Sequence, residues 1–147
     1  MIAVSGTPIP QGSKQAYRTG DRIYLVEANK AVYEWRERIA KAAREYMEHI
    51  GVFEQPIHLE LVFLMPKPKT VTREHPTTKP DLDKLVRAVN DAITGIIFKD
   101  DSQVVKITAS KQYAKYGMTG VIIQPHVCND SITYTEYLKL HADRLGQ

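Results

Sequence analysis

Nine consecutive residues, "IHLELVFLM" at 57–65, restrict the folds open to this chain more than any other stretch. The first half alternates apolar with polar, and the second half is apolar on both faces. That is the pattern of a strand running into the middle of a sheet. His58 and Glu60 share the polar face of the alternating half and are expected to meet water. A central strand needs neighbours. "QVVKITASKQYA", a turn at "KYG" and "MTGVIIQ" read as a hairpin, with Val104, Val105 and Ile107 matched to Val121, Ile122 and Ile123. At the start of the chain, "IAVS" reads as a short strand. A loop broken by Pro8, Pro10 and Gly12 follows, and "TGD" turns into a further strand at Ile23, Tyr24 and Leu25.

Three helices complete the pattern. The first runs from about Asn29 to Ile50, with Val32, Trp35, Ile39, Ala42, Tyr46 and Ile50 forming one apolar stripe. Asn29 is its N-cap and Gly51 its terminator, while Glu34 with Arg38 and Glu37 with Lys41 support the wet face. The second runs from about Asp83 to Thr94 and stops at Gly95, burying Leu82, Leu85, Val86, Val89 and Ile93. The third, from about Thr133 to Leu145, opens on a capping box of Thr133 and Glu136. Tyr137, Leu138, Ala142 and Leu145 are expected to dock it on the body. The expected class is α/β of the α+β type: one domain over residues 1–147, a mixed β-sheet and helices packed on it.

No apolar run approaches the roughly 20 residues a membrane-spanning helix needs, and the first residues lack the basic-then-apolar pattern of a secretory signal. The single cysteine, Cys128, allows no internal disulfide, so a reducing cytoplasm is the expected location. Formal net charge is only +3. Its placement says more. Between residues 65 and 87, Lys67, Lys69, Arg73, Lys79, Lys84 and Arg87 outnumber Glu74, Asp81 and Asp83 by as much as the whole chain's surplus. Much of that charge sits on "PKPKTVTREHPTTKP", residues 66–80, which has four prolines and no hydrophobic period. A segment of this length that cannot pack its own core is either a flexible loop or an arm that touches a polyanion. Lys14, Arg18 and Arg22 give the N-terminal loop a second basic edge.

Directly after the arm come acids. Asp81 and Asp83 open the second helix, and Asp100 and Asp101 return about eighteen residues later. One reading is local: aspartates cap helices and favour the positive end of the helix dipole. Arg87, one turn on, then pairs with Asp83 or Asp91. The other reading is chemical. A connection doubling back along the helix would bring Asp100 or Asp101 to Asp81 and Asp83, and three converging carboxylates are costly unless protons or a cation neutralise them. All-oxygen ligands suit Mg²⁺ or Mn²⁺. Such an ion activates water and stabilises charge in phosphodiester hydrolysis. Arg87 would then hold a phosphate or offset transition-state charge. His126 and Cys128 form a lone H-x-C without the second pair a zinc site needs. Ser5, Ser13 and Ser102 carry no nucleophile signature, and no Gly-rich phosphate loop is present.

The stretch "KPDLDKLVRAVNDAITGIIFKDDSQVVKITASK" closely resembles the RusA family of Holliday junction resolvases, found in bacteria and their phages. The shared pattern is D-x-D opening a helix, a basic residue four positions on, then an apolar run into D-D-x-Q-V. The N-terminal "GTPIPQGSKQAYRTGDRIYL" and the long helix after it resemble the family more loosely, and the last twenty residues do not. The resemblance implies a dimeric Mg²⁺-dependent endodeoxyribonuclease that resolves four-way DNA by paired nicks in recombination and repair. It makes Asp81, Asp83 and Asp101 the metal ligands and, with Arg87, the catalytic set. Arg87 stands where the family has a lysine; arginine keeps the charge but cannot donate a proton at neutral pH. Lys84 replaces the usual asparagine. Lys14, Arg18, Lys67, Lys69, Arg73, Lys79 and Lys84 are the expected DNA contacts. Two alternatives stand beside this reading: a branched-DNA-binding protein without catalysis, and a nuclease of the same chemistry preferring forks or flaps.

Overall fold

A computed structural model of the chain describes residues 1–12, 14–27, 30–129 and 131–142, with the side chains of 14, 15, 17 and 24–27 left out of that description. The elements in chain order are β1 (Ile2–Ser5), β2 (Lys14–Thr19), β3 (Arg22–Glu27), α1 (Lys30–Met47), β4 (Ile57–Met65), α2 (Leu82–Ile93), β5 (Val104–Tyr113), β6 (Gly120–Val127) and α3 (Tyr134–Leu140). Four strands make a mixed sheet in the order β1-β6-β4-β5, and β2 with β3 forms a separate antiparallel ribbon. The class is therefore α+β with a mixed sheet, as the sequence leads one to expect.

β4 is the interior strand its composition demands. Ile57, Leu59, Leu61, Phe63 and Met65 are all buried, while the residues between them are half-buried. The first set joins Ile2, Val4, Val121 and Ile123 from β1 and β6 in one apolar cluster with α1 and α2. Antiparallel register pairs Leu61 with Ile123 and Phe63 with Val121, and β1 continues the layer through Ile2 and Val4. Gly120 is required where β1 meets β6, because a Cβ there would stand 2.2 Å from the Val4 carbonyl oxygen.

The expected hairpin of β5 and β6 does not form. β4 lies between them, parallel to β5 and antiparallel to β6. The apolar row of β4 gives each strand a better-buried neighbour than they would give one another. β5 is consequently an edge, and Val105 and Ile107 remain 60% and 46% exposed.

α1 buries Val32, Trp35, Ile39, Ala40, Ala43 and Met47. The stripe is rotated from the expected one: Ala42 and Tyr46 sit at its margin, and Ile50 lies beyond the helix end and is exposed. Gly51 does terminate the helix, its N–H bonding the Met47 carbonyl at φ 82°. The proposed Asn29 cap lies outside the described residues. Neither expected surface pair forms. Arg38 donates to the Ser5 carbonyl, and Glu37 pairs with Arg44 at 2.6 Å. α2 buries Leu85, Ala88, Val89, Ala92 and Ile93, with Leu82 and Val86 at the margin. Its last turn is closed by Gly95, φ 82°. α3 carries the expected capping box. Tyr137, Leu138 and Ala142 stay exposed and none of its residues is buried, so the described part does not show the expected docking; Leu145 lies outside the described residues.

On the sheet's other face, His58 and Glu60 find protein partners as well as water. His58 hydrogen-bonds Thr108 at 2.9 Å, and His126 donates to Glu60 at 2.7 Å. That bond, aided by the nearby imidazoles and Lys106, holds the Glu60 carboxyl below its usual range.

Candidate active site

α2 decides what stands at the site. Asp81 is its N-cap in extended conformation, yet its side chain makes no capping hydrogen bond. It instead lies 3.6 Å from Lys84, an exposed pair of the kind that contributes little to stability. Asp83, in the first turn, and Arg87, one turn further, are both exposed. Neither takes a hydrogen-bond or ion-pair partner among the described residues. The capping bond expected of Asp81 and the pairing of Arg87 with Asp83 or Asp91 are therefore both absent among the described residues.

The arm is built against this helix start. Pro76 is buried, and Lys111 of β5 donates to the carbonyls of Thr78 at 2.7 Å and Pro80 at 2.9 Å. Lys67 and Arg73 stand over the Tyr113 ring, 5.4 and 5.9 Å from its centroid. Arg73 also donates to the Thr78 hydroxyl at 3.3 Å. The N-terminal loop closes the other side, where the Gln11 N–H bonds the Lys84 carbonyl. Arm, loop, β5 end and helix start together enclose a cleft of about 570 Å³ that includes Asp81, Lys79, Lys84, Arg73 and Lys111. Lys69 is exposed. Arg18, on the separate ribbon, is exposed and donates to the Gly20 carbonyl at 3.0 Å, while the Lys14 side chain lies outside the described residues.

Asp100 and Asp101 are elsewhere. The segment after α2 does not double back along the helix. Ile96 and Ile97 N–H groups both bond the Ile93 carbonyl, Gly95 bonds Phe98, and Phe98 bridges Phe53 ahead of β4. Ile97 and Phe98 are fully buried. Gln103 then ties the next turn to the Phe53 and Gln55 carbonyls. This anchoring holds both acids at the end where β4 and β5 begin, whereas Asp81 stands where those strands finish. Seven strand steps from Val104 to Lys111 span roughly 23 Å. Convergence of the three aspartates within one chain is thus corrected. Among the described residues, no group of three His, Cys, Asp or Glu is gathered to hold a metal ion.

Asp100 has a structural task. Its carboxylate accepts from the Ser102 N–H at 2.8 Å, and Gln103 completes the capping box of the short 3₁₀ turn Asp101–Gln103. Hydrogen bonding from Ser102, its backbone N–H first, holds the Asp100 carboxyl below its usual range. Lys111 and Tyr113 line the cleft and are not among the residues the sequence singles out. Their one signal is position: alternate residues at the end of an edge strand, on a single side of it.

The sequence pattern described as Endodeoxyribonuclease RusA matches residues 5–124, more than four-fifths of the chain. The chain belongs to the RusA endodeoxyribonuclease family. Membership implies a nuclease that acts on branched DNA, and nucleases of this family generally depend on divalent metal. The chain is also similar to "Uncharacterized protein YqaN" of Bacillus subtilis (strain 168), 29% identical over 135 residues that cover 84% of this chain and 94% of the relative. The RusA match includes the arm, α2 and β5, and ends before α3. No helix among the described residues is long and apolar enough to cross a membrane.

Proposed function

We propose that this protein is a Mg²⁺-dependent endodeoxyribonuclease that resolves Holliday junctions by paired nicks, working as a homodimer in the cytoplasm. The observation that carries this reading is the state of Asp81, Asp83 and Arg87. A short exposed run at one helix start offers two carboxylates and a cation: Asp81 makes no capping bond and only an exposed pair with Lys84, and Asp83 and Arg87 have no partner among the described residues, beside a cleft rimmed with lysine and arginine.

One chain does not fit the metal alone, since it brings two of the three aspartates together and holds Asp101 at the far end. A second copy supplies what is missing. β5 is an edge strand with Val105 and Ile107 exposed. Antiparallel pairing of two such edges about a two-fold axis brings Asp101 of each copy toward the strand end where the other holds Asp81 and Asp83. Asp81, Asp83 and Asp101 would hold Mg²⁺ or Mn²⁺, which when bound supplies an activated water and charge stabilisation for phosphodiester hydrolysis. The chain's own residues do the rest. Arg87 holds the phosphate through its planar donors and offsets developing charge. Lys67, Lys69, Arg73, Lys79 and Lys84, with Lys14 and Arg18 of the ribbon, bind the phosphate backbone.

The deciding experiment incubates the protein with labelled four-way junction, fork and duplex, with Mg²⁺ or with EDTA. Paired junction nicks only with Mg²⁺ bear the reading out, and a junction shifted but uncut in Mg²⁺ overturns it.

A further inference from the structure

We propose that the cleft beside Asp81 is a nucleobase pocket, which takes one unstacked base from the branch point next to the phosphate to be cut. The inference rests on the nuclease reading and extends it to how the substrate is recognised.

The walls argue for a flat apolar body. Pro8, Pro10, Met65, Pro66, Pro76 and Pro80 line the cleft, whose volume of about 570 Å³ lies among pockets that bury most of a small ligand. The rim argues for an attached anion, since Arg73, Lys79, Lys84 and Lys111 surround the same opening. A nucleotide combines those two features. Duplex DNA cannot enter a concavity of this size, so the base must leave the stack. That costs least where stacking is already interrupted, as it is at a branch point.

The pocket is also preformed. Lys111 pins the Thr78 and Pro80 carbonyls, and the Gln11 N–H fastens the opposite lip to Lys84. Tyr113 lines the cleft beneath Lys67 and Arg73, and its hydroxyl is buried without a hydrogen-bond partner among the described residues. Buried hydroxyls are rarely left in that state. A base edge gains this bond only if the wall shifts to open the hydroxyl as the base enters, and the position would then select among bases.

The test uses four-way junctions with 2-aminopurine at successive positions around the branch point, titrated with the full chain in EDTA. Fluorescence should rise severalfold at one position as the mobility shift saturates. Thr7→Trp, at an exposed lining residue, should lose the rise at protein concentrations that saturate the mobility shift. Tyr113→Phe should keep the rise and lose any preference among the four bases at that position in cleavage. Saturated binding with no rise at any position overturns the pocket and leaves the nuclease reading standing, as does a rise untouched by Thr7→Trp. A base preference unchanged in Tyr113→Phe overturns the reading role of this wall. No binding to any branched DNA overturns both.

Discussion

Asp81 and Asp101 are held at opposite ends of α2, the first at its N-cap beside Lys111 of β5, the second in the turn that precedes that strand. Twelve helical residues, roughly 18 Å at 1.5 Å each, lie between the two ends. An active site requiring both carboxylates is therefore incomplete in one chain.

Mixing two inactive variants tests this directly. Asp81→Asn and Asp101→Asn should each abolish nicking while junction binding persists. Reassorted together, they should recover about a quarter of wild-type nicking, because half the dimers are mixed and each mixed dimer rebuilds one of its two sites. Three ligands from a single chain would give no recovery.

Arg87→Ala should lower the cleavage rate roughly 100-fold, the scale of losing one aimed donor to a charged transition state. Arg87→Lys should retain most of the rate, and neither should alter thermal stability, since the side chain has no partner among the described residues. Single-turnover kinetics beside a melting curve separates the two effects.

Changing Lys67, Lys69 and Arg73 together to Ala should weaken binding to junctions of any sequence. Each phosphate contact removed should make the dependence of log affinity on log salt shallower by roughly 0.9. An unaltered slope across a salt titration would place these side chains away from the backbone.

Asp100 should reveal itself through stability and pH. In the unfolded chain its carboxyl titrates near 3.8, and hydrogen bonds led by those from Ser102 hold it lower in the fold. A depressed folded-state value means the ionised form is favoured by folding. Its contribution is full above 3.8 and disappears as pH falls through the folded value. Asp100→Ala should melt at a lower temperature than wild type from neutral pH down to that point, with the gap closing in stronger acid.

Gly120→Ala should destabilise by about 1–3 kcal/mol, the usual cost of forcing atoms into a packed site. The added Cβ meets the Val4 backbone, and strand β1 has to shift. Denaturant unfolding measures this, and hydrogen exchange should show Ile2–Ser5 losing protection first.

Much of this was readable along the chain. β4 declared itself as an interior strand, α2 showed both boundaries to within a residue, and the Pro-rich basic arm stood out for lacking any period. Those features depend on residues a few positions apart, whose spacing sets which side chains share a face. The rotated stripe of α1 was harder to see, because Ala40 and Ala43 carry too little hydrophobicity to outweigh Tyr46 and Ile50 by composition. α3 shows a sound cap and an apolar side, yet a cap fixes where a helix starts and says nothing of what it packs on.

By itself the sequence determined the elements, the central place of β4, and the gathering of acids and cations around one helix start. The tertiary structure alone decided that β4 separates β5 from β6, that Lys111 and Tyr113 complete the cleft, and that Asp101 stays far from Asp81. Those outcomes rest on contacts between distant segments. Burial of Ile97 and Phe98 against the chain before β4 outweighs any return of the acids along α2, and no local spacing records which distant surface wins.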